Sequence, residues 1–328
     1  MSNADRVGTV VPVDAIALGV WSEKTDNCYI GGEIAPNNPY LELPQGKVNI
    51  VDSKTDQKDM KPTAPLEKAG RVKGTENSIP YIRTPYRKAF DIDPSNYNPA
   101  YSDAKNKLRE QQKGARWITK TLKLIFESVI ADKMFNASNF TNTTVGDAWT
   151  DYAVSNPVAD LNAQGKLIKK DRSIPPNTII FGANAYSNYV SNEKIQKSIA
   201  TTQNQLVKLA MALELLKTDS LETLKRIFVA DATFNAANLG QAEDRNFVWN
   251  PDMVWLGYID TNPQSEDMAG AVALTTEFFQ DSMGKQSPVS MRTFRDENTQ
   301  VGVETLEGFI KFDFPILDPK YGRLLTIA

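Results

Sequence analysis

A chain of 328 residues, of which 41% are hydrophobic, has enough material for a sizeable core divided between two domains. Its 37 Lys and Arg stand against 40 Asp and Glu, a formal charge of −3, and the cations look scattered rather than gathered into a basic arm, so tight electrostatic binding of nucleic acid is not expected. There is no histidine and one cysteine, Cys28, which removes the commonest general base, the commonest zinc ligand, the usual partner of a nucleophilic serine, and any intrachain disulfide or cysteine-rich metal site.

The N-terminal MSNADR lacks the basic, apolar and small-residue succession of a secretory signal, and no run of eighteen apolar residues is present to span a membrane. Residues 1–35 hold a short apolar stretch, 7–20, with Pro12 inside it and the pair Gly31-Gly32 beyond, which predicts an extended or mixed arm rather than a long helix. Cys28 has no histidine partner, and nearby Asp26 disfavours a thiolate, so an inert thiol is expected.

Residues 36–100 carry nine prolines, among them Pro44, Pro62, Pro65 and Pro80. Two strand-like runs, 47–51 and 79–83, flank a charged stretch at 52–61. Aromatic and β-branched residues persist through this region, which favours an extended hairpin over a free surface loop. Such a segment lacks a core of its own, so Val48, Ile50, Tyr81 and Ile82 need cover from elsewhere.

Residues 102–135 form one uninterrupted helical pattern. Ile118, Leu122, Ile125, Val129 and Met134 recur every three to five positions, with Lys120, Lys123, Glu127 and Asp132 between them, so an apolar stripe is backed by a charged face. Ser102 suits the N-cap and Asp103 the first turn. At about 1.5 Å per residue the helix is roughly 50 Å long, more than a compact domain of this size needs. The polar stretch 136–144 reads as a loop whose three Asn-x-Ser/Thr sequons reflect turn chemistry. Next come WTDYAVSNPVAD at 149–160, with Asn156-Pro157 capping a helix over 158–169, and PPNTIIFG at 175–182.

From residue 175 strands and helices alternate. Strands are predicted at 178–181, 226–230, 246–250, 253–259 and 271–276, and helices at 185–199 and 204–216. Two long strands close the chain, 290–294 and 301–314, joined by a polar turn at 295–298. In the second, Ile310, Phe312 and Phe314 share one apolar face. No phosphate loop, dinucleotide fingerprint or nucleophile elbow is present, and the 52–59 stretch lacks the glycine and terminal glutamate of a calcium loop. The carboxylate pairs Asp91/Asp93 and Glu266/Asp267 read as solvated loop charge.

The succession of spine-length helix, WTDYAVSNPVAD and PPNTIIFG resembles the centre of a tailed-phage major capsid protein of the HK97-like family. The resemblance implies an α+β chain with an N-terminal arm (1–35), an extended β-hairpin E-loop and its adjoining extended segment (36–100), a P-domain with a long spine helix (101–174), a mixed α/β A-domain (175–288), and P-domain return strands with the C-terminus (289–328). It implies self-assembly into pentamers and hexamers of an icosahedral shell around double-stranded DNA, which is contacted weakly and non-specifically. The virion capsid, built in the bacterial cytoplasm, is then the location, with no membrane, no cofactor, no metal and no catalysis.

Under the same resemblance Lys47, Val48, Ile50, Lys54, Lys58, Lys61, Ile79, Tyr81 and Ile82 are inter-subunit candidates on the E-loop. Ile118, Leu122, Ile125 and Val129 form the core face of the spine. Some members of the family join a loop lysine to a neighbour's asparagine; this loop, with Lys68 as well, is simply lysine-rich, and the uncrosslinked form is expected. The arm-like sequence starts close to Met1, which implies a separate scaffolding protein and no maturation cleavage; a portal and a decoration protein are further partners. An encapsulin-like compartment shell is the alternative within this architecture, and an α/β enzyme working through carboxylates is the alternative outside it.

Overall fold

The computed structural model describes residues 13–22, 29–35, 37–38, 41, 43–50, 77–94, 97–200, 209–217, 219–238, 240–262, 267–280, 286–294 and 304–327. Two compact units are present. The first comprises Met1–Tyr29, Arg83–Val129 and Thr275–Asp313, and the second Ile30–Ile82, Ile130–Leu274 and Phe314–Ala328.

The first unit is built on the long helix Asp103–Met134, whose residues up to Val129 belong to it. The Ser102 carbonyl accepts the Asn106 N–H at 3.0 Å, so the helical ladder opens at the expected residue. Buried positions follow at Ala115, Ile118, Thr119, Leu122 and Phe126, a stripe in steps of three and four. Ile125 and Val129, expected on that stripe, are only half-buried. Phe126 takes the place of Ile125 because its ring fills the space between two aromatics: it meets Phe312 edge-on at 4.6 Å and Trp21 at 5.5 Å. Glu127, expected on the charged face, is instead buried at 1% exposure, next to Phe126 along the helix.

A four-stranded sheet completes this unit. The strand Glu304–Asp313 is its centre: Thr84–Ile92 pairs with it antiparallel over nine residues, from Thr84↔Phe312 to Ile92↔Glu304, and Ser290–Phe294 and Thr275–Thr276 pair with it on its other edge. Leu306, Ile310 and Phe312 are buried, while Phe309, Lys311 and Asp313 are half-exposed, the period-two alternation of a strand with one apolar face. Gly308 lies in the apolar series. A Cβ there would stand 2.5 Å from Ile118 Cγ2 and 2.8 Å from Met291 Sδ, and one at Gly114 on the helix would stand 2.6 Å from the Phe90 ring. Glycine at both places lets helix and sheet approach closely. On the odd-numbered positions Glu307 accepts from Arg292 Nε at 2.6 Å and lies 3.9 Å from Arg87, which ties three strands together.

The N-terminal helix Val13–Ser22 also belongs here. An extended or mixed arm was expected because of Pro12, yet Pro12 directly precedes the first helical residue, where a missing N–H costs nothing.

The second unit holds a five-stranded mixed sheet in the spatial order Thr141–Thr144, Gly322–Thr326, Met253–Gly257, Thr178–Gly182, Arg226–Ala230. The outer pairs are parallel and the inner ones antiparallel. Ile179, Phe181, Val254, Leu256 and Leu325 join Trp149, Leu161, Ile168, Tyr189 and Leu216 from the flanking segments in one buried cluster. Residues 141–144, expected as loop, are the edge strand of this sheet. TNTT carries no apolar alternation to announce it, and an edge strand needs none when its backbone pairs with Gly322–Thr326.

Other elements differ in extent. The single helix expected over 185–199 is two, Ala183–Ser191 and Glu193–Ala200, broken at Asn192 in extended conformation. Leu209–Leu216 is helical, while 201–208 lie outside the described residues. Of the strands expected at 246–250 and 271–276, Arg245–Phe247 and Thr275–Thr276 form; Val272 makes an isolated bridge to Ile316.

The two versions of the helix stripe separate experimentally. Leu122→Ala should cost about 2–5 kcal/mol in denaturant unfolding, and half-buried Ile125→Ala about 1 kcal/mol. Equal losses would restore Ile125 to the core face.

Candidate assembly interface

Gln45–Ile50 and Asn77–Ile82 form an antiparallel hairpin in the second unit, in register from Gln45↔Ile82 to Ile50↔Asn77, and Asp267–Met268 runs parallel beside the first strand. The hairpin was expected to carry Val48, Ile50, Tyr81 and Ile82 without local cover, and the structure divides that set. Val48 and Tyr81 are 0% and 3% exposed, packed with Leu41, Met268, Ala273 and Leu317, and Ile50 leans on the same cluster. The Tyr81 hydroxyl donates to the Leu43 carbonyl at 3.2 Å. The strands alternate, so what one face buries the other shows.

Ile82 is 62% exposed, and Leu43, which no sequence pattern singled out, is 67% exposed; both lie at the end of the hairpin away from the 51–76 connection. Lys47 is exposed and Ile79 half-buried. Lys54, Lys58, Lys61 and Lys68 lie outside the described residues, as does Cys28. Of the carboxylate pairs, Asp91 accepts the Thr305 hydroxyl at 2.8 Å within the sheet of the first unit, and Asp267 stands in a strand opposite Asn49; Glu266 is outside the described residues.

The two sequence motifs act as structural clamps in the second unit. In PPNTIIFG, Asn177 is 8% exposed. Its Nδ2 donates to the Ile259 carbonyl at 2.8 Å, and its Oδ1 accepts from the Ile259 N–H at 3.0 Å and the Thr178 hydroxyl at 2.9 Å. Its backbone N–H donates to Gly257 and its carbonyl accepts from Lys225 and Arg226, so one residue joins three strand ends with every polar group satisfied.

In WTDYAVSNPVAD the Asn156 side chain caps the helix Pro157–Arg172 by accepting the Ala159 N–H at 3.3 Å. Ser155 donates its hydroxyl to the Asp151 backbone carbonyl at 2.6 Å and accepts from Asn192 Nδ2 at 2.9 Å, while Asn192 Oδ1 accepts the Lys194 N–H. That double use of Asn192 explains the break between the two helices. The motif's ends meet where buried Trp149 donates Nε1–H to Asp160 Oδ2 at 2.9 Å.

Burial raises the Asp160 pKa above the ordinary value of 3.8; the Trp149 hydrogen bond opposes that shift, nearby Asp147 adds to it, and Lys194 opposes it. A carboxyl whose folded pKa lies above its unfolded one supports folding most fully below pH 3.8, and that support is lost as pH rises through the raised value. Asp160→Asn keeps an acceptor for Trp149 without the buried charge, so it should remove this pH dependence from the unfolding midpoint and keep stability at pH 7. Asp160→Ala should cost about 1–3 kcal/mol by leaving the buried indole N–H unmatched. Equal destabilisation by both would show that the charge itself is what the fold needs.

No protein-family model matches the chain, and no curated protein matches it in sequence. Solved structures do match it in shape. A phage-related protein from Bordetella bronchiseptica RB50 has a TM-score of 0.64 at 16% identity, over 96% of this chain and 97% of that one. A virus-like particle protein from Pyrococcus furiosus has 0.51 at 11%, over 95% and 97%. The encapsulin complex of Synechococcus elongatus has 0.50 at 11%, over 100% of this chain and 91% of that one. With its long helix against a sheet centred on the return strand, its paired hairpin and its mixed five-stranded sheet, the chain has the HK97-like capsid fold.

Proposed function

We propose that the chain is the wall-forming subunit of a phage shell, a structural rather than catalytic protein that assembles with copies of itself. The observation that carries this reading is the hairpin. Its base is anchored by Val48 and Tyr81 in a local core, its two strands are joined by residues 51–76, and Leu43 and Ile82 at its foot are more than half exposed. Apolar side chains of that size, more than half exposed on a well-packed unit, gain free energy when another surface covers them. A shell supplies that surface from identical neighbours, through heterologous contacts that close into rings of five and six.

As the finer reading we propose pentamers and hexamers of an icosahedral capsid around double-stranded DNA, assembled in the host cytoplasm with a separate scaffolding protein, a portal and, on some surfaces, a decoration protein. In this reading the E-loop lies within residues 36–82, since Thr84–Ile92 belongs to the sheet of the first unit, with Lys47, Ile50, Lys54, Lys58, Lys61, Ile79 and Ile82 toward a neighbour. No described helix is long and apolar enough to cross a membrane. An encapsulin-like compartment is the second reading, supported by the likeness to the Synechococcus structure. Particles containing nucleic acid support the phage reading and particles containing a protein cargo the other.

Purified protein should sediment as oligomers or closed particles. A single species near 36.4 kDa at high concentration would count against any shell. Deleting residues 52–74 should leave a folded subunit, because the strands on either side keep their local core, yet stop shells from closing. In intact particles trypsin should cut at Lys54, Lys58 and Lys61 much more slowly than in dissociated subunits. Equal rates would remove the loop from the interface.

A further inference from the structure

The structure gathers cations that look scattered in the sequence. Lys105, Arg109, Lys113, Arg116 and Lys120 on the long helix are all exposed, and they follow one another in steps of four, four, three and four. At about 100° per residue they fall within an arc of roughly 80°, and at about 1.5 Å per residue they run along some 22 Å of the helix. This arc is turned away from the buried Ala115, Ile118, Leu122 and Phe126. The two acidic residues of the helix before Glu127 are Asp103 and Glu110, both off the arc; Glu110 reaches Lys113 at 3.6 Å.

Aromatic rings flank the stripe. Lys105 and Arg109 lie over the Tyr101 ring at 4.2 and 4.8 Å, and Lys113 lies 4.9 Å from the centre of Trp117, whose side chain is 56% exposed. Arg109, Gln112, Lys113, Arg116 and Trp117 line a shallow open groove.

An ordinary solvated helix face mixes signs, because opposite charges at i and i+4 stabilise it and like charges there weaken it. Here like charges repeat at that spacing four times in succession, counting one step of three, a repulsion that the Glu110 contact with Lys113 offsets at one point and that a polyanion lying along the stripe would offset over its whole length. We propose that this face of the long helix is a sequence-independent binding surface for the phosphodiester backbone of double-stranded nucleic acid. A duplex presents a continuous line of negative charge that needs no register with the cations, spaced about 6 Å apart along the helix axis. The two arginines offer guanidinium forks that match phosphate oxygens, and Gln112 adds an uncharged donor between them. The surface gives the shell reading a named contact for its contents and rests on that reading for its setting; the binding itself is a property of the chain.

The test is fluorescence anisotropy of a labelled 20-base-pair duplex with soluble, unassembled protein between 50 and 200 mM NaCl. Five phosphate contacts predict a salt slope of about −4.5 on logarithmic axes, a loss of roughly 500-fold in affinity across that range. Arg109→Gln/Lys113→Gln/Arg116→Gln should flatten the slope by about 2.7 and leave roughly a tenfold loss. Lys166→Gln/Lys169→Gln/Lys170→Gln, on exposed positions of Pro157–Arg172, should leave the wild-type slope intact. Because all six positions are exposed, circular dichroism should be unchanged in both variants. An unaltered slope in the first triple variant, no salt-dependent binding by the wild type, or stronger competition by polyglutamate than by unlabelled duplex would overturn the assignment, the last in favour of an acidic protein partner. Electron microscopy separates the two readings: shells without duplex binding remove only this surface, and duplex binding lost in the variant of a chain that forms no shells removes only the shell.

Discussion

The contact between the long helix and the strand Glu304–Asp313 sets the terms for the first unit. Ile118 sits over Gly308 and Phe90 over Gly114, each at a place where a single added carbon would collide. With the two backbones that close, the helix register along the strand is decided by where the glycines are, and the remaining side chains must fit the spacing that results. Phe126 does so by meeting Phe312 edge-on, and Leu122, Leu306 and Ile310 are sealed between. Thr84–Ile92 then has its place on the free edge of the same strand, so a segment that sequence alone joins to the hairpin becomes part of the sheet under the helix.

The second unit depends on a different device. Its sheet mixes parallel and antiparallel neighbours drawn from distant parts of the chain, and strand ends must be pinned where short connections cannot do it. Asn177 performs this by bonding to Ile259, Gly257, Lys225 and Arg226 at once. The Trp149–Asp160 bond closes the preceding motif, residues 149–160, into a fixed loop, and Ser155 and Asn192 secure that loop to the helices beside it. Their polar groups are spent on one another, as buried polar groups in a stable core must be, and among the described residues the two surfaces proposed for partners, the foot of the hairpin and the basic helix face, lie outside these clamps.

Those two surfaces differ in what they recognise. Leu43 and Ile82 are apolar and shape-dependent, suited to a partner of fixed geometry such as another copy of the chain. The cationic face of the long helix is long-ranged, indifferent to register and weakened by salt. The proposed role as a shell subunit calls for both kinds of contact, firm between subunits and loose toward the contents.

Much of this was set by sequence alone. The length of the helix follows from an unbroken periodic run, the cap at Asn156-Pro157 from local turn chemistry, the strands Thr178–Gly182, Arg226–Ala230 and Ser290–Phe294 from dense β-branched and aromatic runs, and the apolar face of Glu304–Asp313 from its alternation. These are properties of neighbouring residues, and periodicity reports them directly. What only the tertiary structure decided depends on residues far apart in the chain. Whether Ile125 or Phe126 is buried turns on the position of Phe312, and whether residues 185–199 form one helix or two turns on Ser155. Whether TNTT is a loop or an edge strand turns on Gly322–Thr326. Val48 and Tyr81 look uncovered until Leu41, Met268 and Leu317 arrive, and five lysines and arginines look scattered until 3.6 residues per turn bring them onto one face. Net charge sums over the whole chain and hides such a stripe, because a field at a surface depends on where the charges stand and not on how many there are.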